Sequence, residues 1–298
     1  MDTISHILKT FRLRARVFHN AKYCGAFKVD TSKEGLATFH IVTAGRCMLE
    51  LPDSETEPET LEAGDLVLLP RARRHCLVDR LDTACGINEG RSTPFPDAPV
   101  ETGTGLVCGY LEFDQPSNNP LLDALPDVAI VRSDTAPWDR HLLPLLRILI
   151  AESISSMRGA EVTLNRLCDV VFVLLVREYL EQNSEQGLGA ALADQRIGRS
   201  LDAIHTGLEQ EWSVEALASI AAMSRAAFSS RFKELLGETP MGYVTRCRMQ
   251  GAHRLLRDGG VTIANISERC GYASEAAFAK AFKREMGASP GSVRRGSD

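Results

Sequence analysis

The last hundred residues carry the feature that most restricts the fold: one pattern written twice. Shifting the chain by 50 positions superimposes Ser224 on Ser274, Ala226 on Ala276, Ala227 on Ala277 and Phe228 on Phe278. The same shift pairs Phe232 and Lys233 with Phe282 and Lys283, Gly237 with Gly287, and Pro240 with Pro290. An ungapped match of this density marks two copies of one supersecondary unit. Each copy opens on an apolar helix, Val214, Leu217, Ala218 and Ala221 in the first and Ile263, Ile266 and Cys270 in the second. A tight turn follows, at Ala222-Met223 or Gly271-Tyr272, and Ser224 or Ser274 then supplies an N-cap for the next helix. That helix puts Phe228 and Phe232, or Phe278 and Phe282, at i and i+4 on one face. Its other face is short and polar: Arg225, Ser229 and Lys233 in copy one, Glu275, Lys280 and Lys283 in copy two. Two helices joined by a tight turn, the second with a narrow outward face, form the geometry that enters a DNA major groove.

Between the copies, Met241–Arg257 reads as one helix of about 25 Å at 1.5 Å per residue. A spacer of that length sets two recognition helices about one DNA turn apart, roughly 34 Å. Arg246, Arg248, Arg254 and Arg257 along it either contact phosphates or form a solvated helix face.

Residues of about 200–296 resemble the DNA-binding domain of the AraC/XylS family of transcription regulators. The resemblance rests on the two Ser-x-x-x-Phe-x-x-x-Phe-Lys helices, the Gly-x-x-Pro after each, and Ile266-Ser267-Glu268-Arg269-Cys270-Gly271-Tyr272. It implies that the outward positions read bases: Ala226, Ser229 and Ser230 in copy one, Glu275, Ala276 and Lys280 in copy two. Arg225, Lys233 and Lys283 flank them as further DNA-contacting candidates. Alanine and serine touch a thymine methyl or make single hydrogen bonds, without the bidentate grip of arginine on guanine. Copy one is therefore expected to depend on shape and phosphate contacts, with Lys280 as the strongest reader in copy two.

Charge agrees with this division. Residues 197–298 hold 14 Lys and Arg against 11 Asp and Glu, a net of +3, whereas the whole chain is −5, leaving −8 on residues 1–196. A basic tail half behind an acidic front half suits a nucleic-acid module joined to a second domain. At 44% hydrophobic and 24% charged residues the chain is neither disordered nor collagen-like. Its longest apolar run, Val170–Val176, is far short of the roughly 20 residues that span a bilayer. Met1–Arg16 lacks a signal-peptide core, so a cytoplasmic location is expected. The 8 cysteines contain no Cys-x-x-Cys and read as free thiols.

From Cys24 to Phe113 short apolar runs alternate with Gly and Pro turns: Phe39–Thr43, Cys47–Leu51, Leu66–Leu69, Cys76–Val78 and Leu106–Phe113. This is the signature of a compact all-β unit. Ala84–Gly105, rich in Gly and Pro, reads as a long mobile loop inside it. Gly64, five residues, Pro70 and then His75 resemble the second motif of the cupin superfamily, with Ala72 in place of its inner glycine. Phe39-His40-Ile41-Val42, Gly45, Leu106-Val107-Cys108-Gly109 and the Pro120–Pro126 segment fit the cupin-type sensory domain of an AraC subgroup.

Cupin enzymes hold a metal with three histidines and a glutamate, and here only His40 and His75 stand at such positions. They act either as hydrogen-bonded barrel residues or, with Cys24, Cys76 or Cys108, as ligands of a zinc-like metal. The cysteines offer a thiol alternative. Cys76 follows Arg71, Arg73, Arg74 and His75, and Cys24 and Cys108 fit strands of one small barrel. A third option is an organic effector in the barrel mouth.

Trp138–Met157 and Val162–Gln182 read as helices. The second carries a stripe of Leu164, Leu167, Val171, Leu174 and Leu175, widened by Val170, Phe172 and Val173, that fits either the underside of the sheet or a dimer seam. Asn183–Gly189 is a polar linker. The expected fold class is α+β multidomain: an N-terminal cupin-like β-barrel plus helices and a C-terminal all-α double helix-turn-helix domain. The boundaries fall at 1–135 for the sensory unit, 136–190 for helical dimerisation and linker, and 191–298 for DNA binding. The function these readings imply is a sequence-specific transcription regulator, an activator in family terms, that senses a small molecule, oxidant or metal. It requires no cofactor and has no catalytic residues. Its partners are double-stranded promoter DNA, the effector, RNA polymerase and a second copy of itself, with no membrane. The competing class is a cupin metalloenzyme with a helical accessory domain.

Overall fold

The computed structural model describes residues 2–11, 13–32, 35–80, 91–94, 103–113, 119–134, 141–182 and 187–296. The chain divides into two compact units: Leu13–Pro116 with Leu125–Tyr179, and Met1–Arg12 with Ser117–Ala124 and Leu180–Asp298.

The first unit is built on ten strands. They are β1 (Arg14–Cys24), β2 (Lys28–Asp30), β3 (Ala37–Ala44), β4 (Arg46–Glu50), β5 (Glu59–Glu62), β6 (Leu66–Leu69), β7 (Cys76–Val78), β8 (Arg91–Pro94), β9 (Thr104–Glu112) and β10 (Ala129–Val131). One sheet runs β10-β6-β3-β9-β1-β8 and the other β2-β7-β4-β5. Between them lies an apolar core that includes Tyr23, Phe27, Val42, Leu49, Val67 and Leu106. The predicted runs are strands, and β8 and the start of β9 lie within the stretch read as a loop, the rest of which falls outside the described residues. β1 was not read as a strand, because Arg-Ala-Arg-Val-Phe-His-Asn-Ala-Lys-Tyr-Cys mixes charge with apolar residues throughout.

Two longer helices, α3 (Leu142–Ser153) and α4 (Ala160–Gln182), belong to this unit; the short α1 (Thr3–Phe11) and α2 (Pro120–Asp123) precede them in the chain. α4 lays Leu164, Cys168, Val171, Phe172 and Leu175 against the sheet, where Phe39, Ile41, Leu66, Leu68 and Leu111 face them. Both faces of β3 are thus covered, which accounts for its unbroken burial from Ala37 to Val42, Thr38 and His40 included. α4 also finishes the sheet's hydrogen bonding. Beyond the short β8, one flank of β1 has no neighbouring strand among the described residues, and Asp169 Oδ1 accepts from Ala15 N at 2.6 Å while Asn165 Oδ1 accepts from Val17 N at 2.9 Å. Buried amides left without these carboxylate and amide oxygens would each be costly.

The second unit holds α1 and the helices α5 (Gly187–Ala193), α6 (Gln195–Thr206), α7 (Val214–Ile220), α8 (Arg225–Leu236), α9 (Pro240–Asp258), α10 (Ile263–Arg269), α11 (Glu275–Met286) and α12 (Pro290–Arg295). Gly187–Gly189, assigned to a polar linker from sequence, is the first turn of α5, whose Leu188, Ala190 and Ala191 are buried. α1 docks here, capped by Asp202, which accepts from Thr3 N at 2.9 Å and Thr3 Oγ1 at 2.7 Å. Two apolar clusters lie along α9. Tyr243, Val244 and Cys247 join Leu217, Phe228 and Phe232 in one; Met249, Ala252 and Leu256 join Ile266, Phe278 and Phe282 in the other.

Two alanines adopt left-handed backbone, Ala72 at φ 52° and Ala222 at φ 51°. Ala72 occupies the position where the cupin motif has glycine, and Ala222 forms the bend that Gly271 forms in the second copy at φ 79°. An L-side chain in this region costs roughly 1 kcal/mol. Ala72→Gly and Ala222→Gly are therefore each expected to stabilise their unit by up to about 1 kcal/mol in urea unfolding; destabilisation would show that the alanine methyls contribute packing that outweighs the backbone strain.

Candidate functional site

The outward faces of α8 and α11 form the candidate nucleic-acid interface. Each helix starts on the predicted serine cap, with Ser224 Oγ accepting from Ala227 N at 3.3 Å and Ser274 Oγ from Ala277 N at 3.2 Å. Each ends on a left-handed glycine, Gly237 at φ 75° and Gly287 at φ 77°. Phe228, Phe232, Phe278 and Phe282 are fully buried, so the opposite faces are fixed outward. Arg225, Ala226, Ser230 and Lys233 are exposed on α8 and Ser229 is half-buried; Glu275, Ala276, Lys280 and Lys283 are exposed on α11. Arg225 is tied to Glu215 of α7 at 2.9 Å, with both groups largely in solvent, so the pair restrains its direction more than it stabilises. Arg231, which sequence reasoning passed over, bonds Asp194 at 3.0 Å, and Asp194 in turn caps α6.

The spacer helix corrects the reading of its arginines. Arg246 donates to Glu238 Oε1 at 2.6 Å and lies over the Tyr243 ring at 4.9 Å. Arg248 donates to the carbonyls of Leu208 at 2.8 Å, Gln210 at 2.5 Å and Cys270 at 3.3 Å. Neither is a solvated face or a free phosphate contact. Arg248 binds the segment before α7 and the cap of α10 to the same helix, and so fixes one helix-turn-helix against the other. Arg254 donates to the Lys9 carbonyl at 3.3 Å, and Arg257 is exposed.

The barrel brings His40 and His75 together. Their Nε2 atoms are 2.7 Å apart, and Thr31 Oγ1 lies 3.0 Å from His75 Nε2. His75 Nδ1 is 2.7 Å from the Arg73 carbonyl, which can only accept, so the proton of His75 sits on Nδ1. Its Nε2 is then the acceptor for His40 Nε2–H, and His40 Nδ1 is left buried and unpartnered. Burial, then His75 and His19, hold His40 well below the ordinary histidine range. Burial lowers His75 as well.

His19 completes a row that the sequence reading missed. Cys108 on β9 stands opposite His19 on β1 and His40 on β3, so the three side chains share the inner face. The Nε2 of His19 is also buried without a partner. The strand that carries it has no clean alternation, so nothing in the sequence marked His19 as inward.

These residues do not fit the cupin metal set. The two imidazole nitrogens bond each other with only the Thr31 hydroxyl beside them, and among the described residues no group of three or more His, Cys, Asp or Glu is arranged to hold a metal ion. Cys108 is fully buried and burial pushes its thiol up, as it pushes Cys47 up to about 12. Cys24 and Cys108 do not meet: Cys24 lies five residues along β1 from the position facing Cys108, about 16 Å at strand rise. Cys76 is buried, and the arginines beside it are paired, Arg71 and Arg73 with Asp127 and Arg74 with Asp30. Asp65, in the Gly64-Asp65 turn, accepts from Ser133 N and Glu62 N and pairs with Arg132, a structural pin for the motif.

A sheet-built N-terminal unit joined to paired helix-turn-helix motifs defines a class of two-part transcription regulators. Residues 2–181 match a family described as cupin, and residues 217–296 one described as helix-turn-helix domain. The chain is 34% identical over 261 residues, 86% of its length and 83% of the relative's, to the RCS-specific HTH-type transcriptional activator RclR of Escherichia coli. It is 28% identical over 311 residues, the full length of both, to the HTH-type transcriptional regulator AlkR of Acinetobacter baylyi. The DNA-binding domain of AdpA, solved with a target DNA, is similar at 29% identity and TM-score 0.31, covering 38% of this chain and 93% of that one. The chain belongs to the AraC family of transcription regulators and binds double-stranded DNA through its helix-turn-helix domain. Its relatives are regulators, and the metalloenzyme alternative finds no support. Among the described residues no helix is long and apolar enough to cross a membrane.

Proposed function

We propose that this protein is a cytoplasmic, homodimeric activator that reads promoter DNA with α8 and α11 and takes its signal in the cupin unit. The DNA half rests on one observation: α8 presents Arg225, Ala226, Ser230 and Lys233 outward and α11 presents Glu275, Ala276, Lys280 and Lys283, while α9 and Arg248 hold them in one frame. Lys280 is the principal base reader, since it is exposed and makes no ion pair with a described residue. Binding measured at several salt concentrations is expected to fall steeply with salt. Lys280→Ala should lose about 1–3 kcal/mol on cognate duplex and much less on scrambled duplex; equal losses on both reassign Lys280 to the phosphate backbone.

The sensor half rests on the imidazole–imidazole hydrogen bond and the orphaned Nδ1 of His40, an incompletely satisfied polar arrangement that a bound small molecule completes. Native mass spectrometry of protein purified without chelator or reductant tests it. A retained small-molecule adduct that His40→Phe abolishes supports this site, and a bare mass, or an adduct that His40→Phe leaves in place, removes it. Dimerisation is assigned to the exposed apolar residues left once α4 has covered the sheet: Ile148, Ile154, Met157, Val162 and Val170, with Met157 74% exposed. RNA polymerase is the further partner that the activator reading requires. Ile148→Asp with Val170→Asp should convert a dimer to a monomer in analytical ultracentrifugation; an unchanged mass places the seam elsewhere.

A further inference from the structure

The C-terminal unit holds a cleft of about 430 Å³ between α1, α6, α9 and α10, away from the outward faces of α8 and α11. That volume lies within the range of small-molecule sites, roughly 300–1,000 Å³. Arg248, Arg254 and Arg269 line it against the single carboxylate of Glu209, an excess of two positive charges. Arg248 is occupied by three carbonyls. Arg254 donates once, to the Lys9 carbonyl, and Arg269 donates to Asn265 at 2.8 Å and faces Glu209 at 3.7 Å. A guanidinium has five N–H donors, so both keep donors for a ligand. Leu208, Ala252 and Leu255 give the same cleft an apolar wall.

His205 forms part of the wall of the same cleft. It is 4% exposed, its Nε2 bonds the Tyr243 hydroxyl at 2.7 Å, and its Nδ1 is buried with no partner. The bond to Tyr243 ties the ring to the apolar cluster behind the cleft, and its Nδ1 is closed off from solvent, so the ring forms part of the back wall. His6 of α1 stands next to it, ring centroids 5.0 Å apart, and is itself disfavoured as a cation by burial and by Arg254 and Lys9.

We propose that this cleft is a binding site for a small organic carboxylate, with Arg254 and Arg269 on the carboxylate and the apolar wall of Leu208, Ala252 and Leu255 on the carbon body. The site is separate from the barrel and from the DNA-reading faces, and it depends on neither reading. Because Arg248 also lines it, a ligand here touches the residue that fixes the two helix-turn-helix motifs against each other.

Trp212 reports on the cleft, since its Nε1 donates at 2.8 Å to the carbonyl of Gly207 in the loop that borders it. In full-length protein carrying Trp138→Phe, Trp212 is the sole tryptophan of the two in the sequence. Its fluorescence is followed during titration with cyclohexanecarboxylate, with cyclohexylmethanol as the neutral analogue and sodium chloride at matched ionic strength. A saturable change with the carboxylate alone is expected, and Arg254→Met and Arg269→Met should each raise its midpoint about tenfold. The two variants differ in what else they disturb, since only Arg254 touches α1. A linear response matching chloride, equal binding of the alcohol, or midpoints unmoved in both variants would overturn the assignment.

Discussion

Replacing Arg248 with methionine is expected to destabilise the C-terminal unit by about 2–4 kcal/mol and to weaken promoter binding without changing its salt dependence. Three backbone carbonyls lose a charged donor, two from the segment before α7 and one from the cap of α10. The two recognition helices then lose the fork that sets their relative orientation, and each must be ordered anew on DNA. No phosphate contact disappears, so the slope of log affinity against log salt stays constant. A slope smaller by about one unit would instead identify Arg248 as a phosphate ligand. Arg248→Lys separates the two roles further: an ammonium keeps the charge but cannot span three carbonyls. Rescue of affinity by lysine would count against the brace.

The second large effect is a pH dependence of stability in the same unit. Burial first, then His6 and Arg246, pull His205 down to about 3. An unfolded histidine titrates near 6.5, so between these values the unfolded chain binds a proton that the folded chain refuses. Stability contributed by neutral His205 is therefore full above about pH 6.5. It falls by about 1.4 kcal/mol per pH unit as the pH drops toward 3, then levels off. Urea unfolding followed by Trp212 fluorescence at pH 5 and pH 7 should show a difference about 2 kcal/mol larger in the native sequence than in His205→Gln. Equal differences in both would mean that His205 is not the titrating group.

The helix-turn-helix half of the fold was legible because each signal is local: a serine cap, phenylalanines four apart and a closing glycine all lie within one helix. The barrel was legible where strands are covered on both faces, as β3 and β6 are, and opaque at β1, where exposed Arg14 and Arg16 flank the buried Ala15 and the buried run Ala21–Tyr23 includes Lys22. That opacity hid His19 and with it the row His19, Cys108 and His40. The arginines of α9 were misread for a different reason. Arg248 pairs with carbonyls 22 and 40 residues away, and a backbone acceptor leaves no mark in a sequence. The stripe on α4 had been open between two readings because it serves the sheet with Leu164, Val171 and Leu175 while leaving Val162 and Val170 in solvent.

The division of α9 between the two apolar clusters has a thermodynamic meaning. A duplicated motif ordinarily behaves as two modules whose free energies add, yet here each half completes its interior with side chains from one rigid rod. Loosening either half strips partners from residues a turn away in the other, so the pair melts as a single cooperative foldon. Excising one copy would leave Met249, Ala252 and Leu256, or Tyr243, Val244 and Cys247, as a bare greasy strip on the survivor, and such a fragment would aggregate rather than report what half of the reader can do.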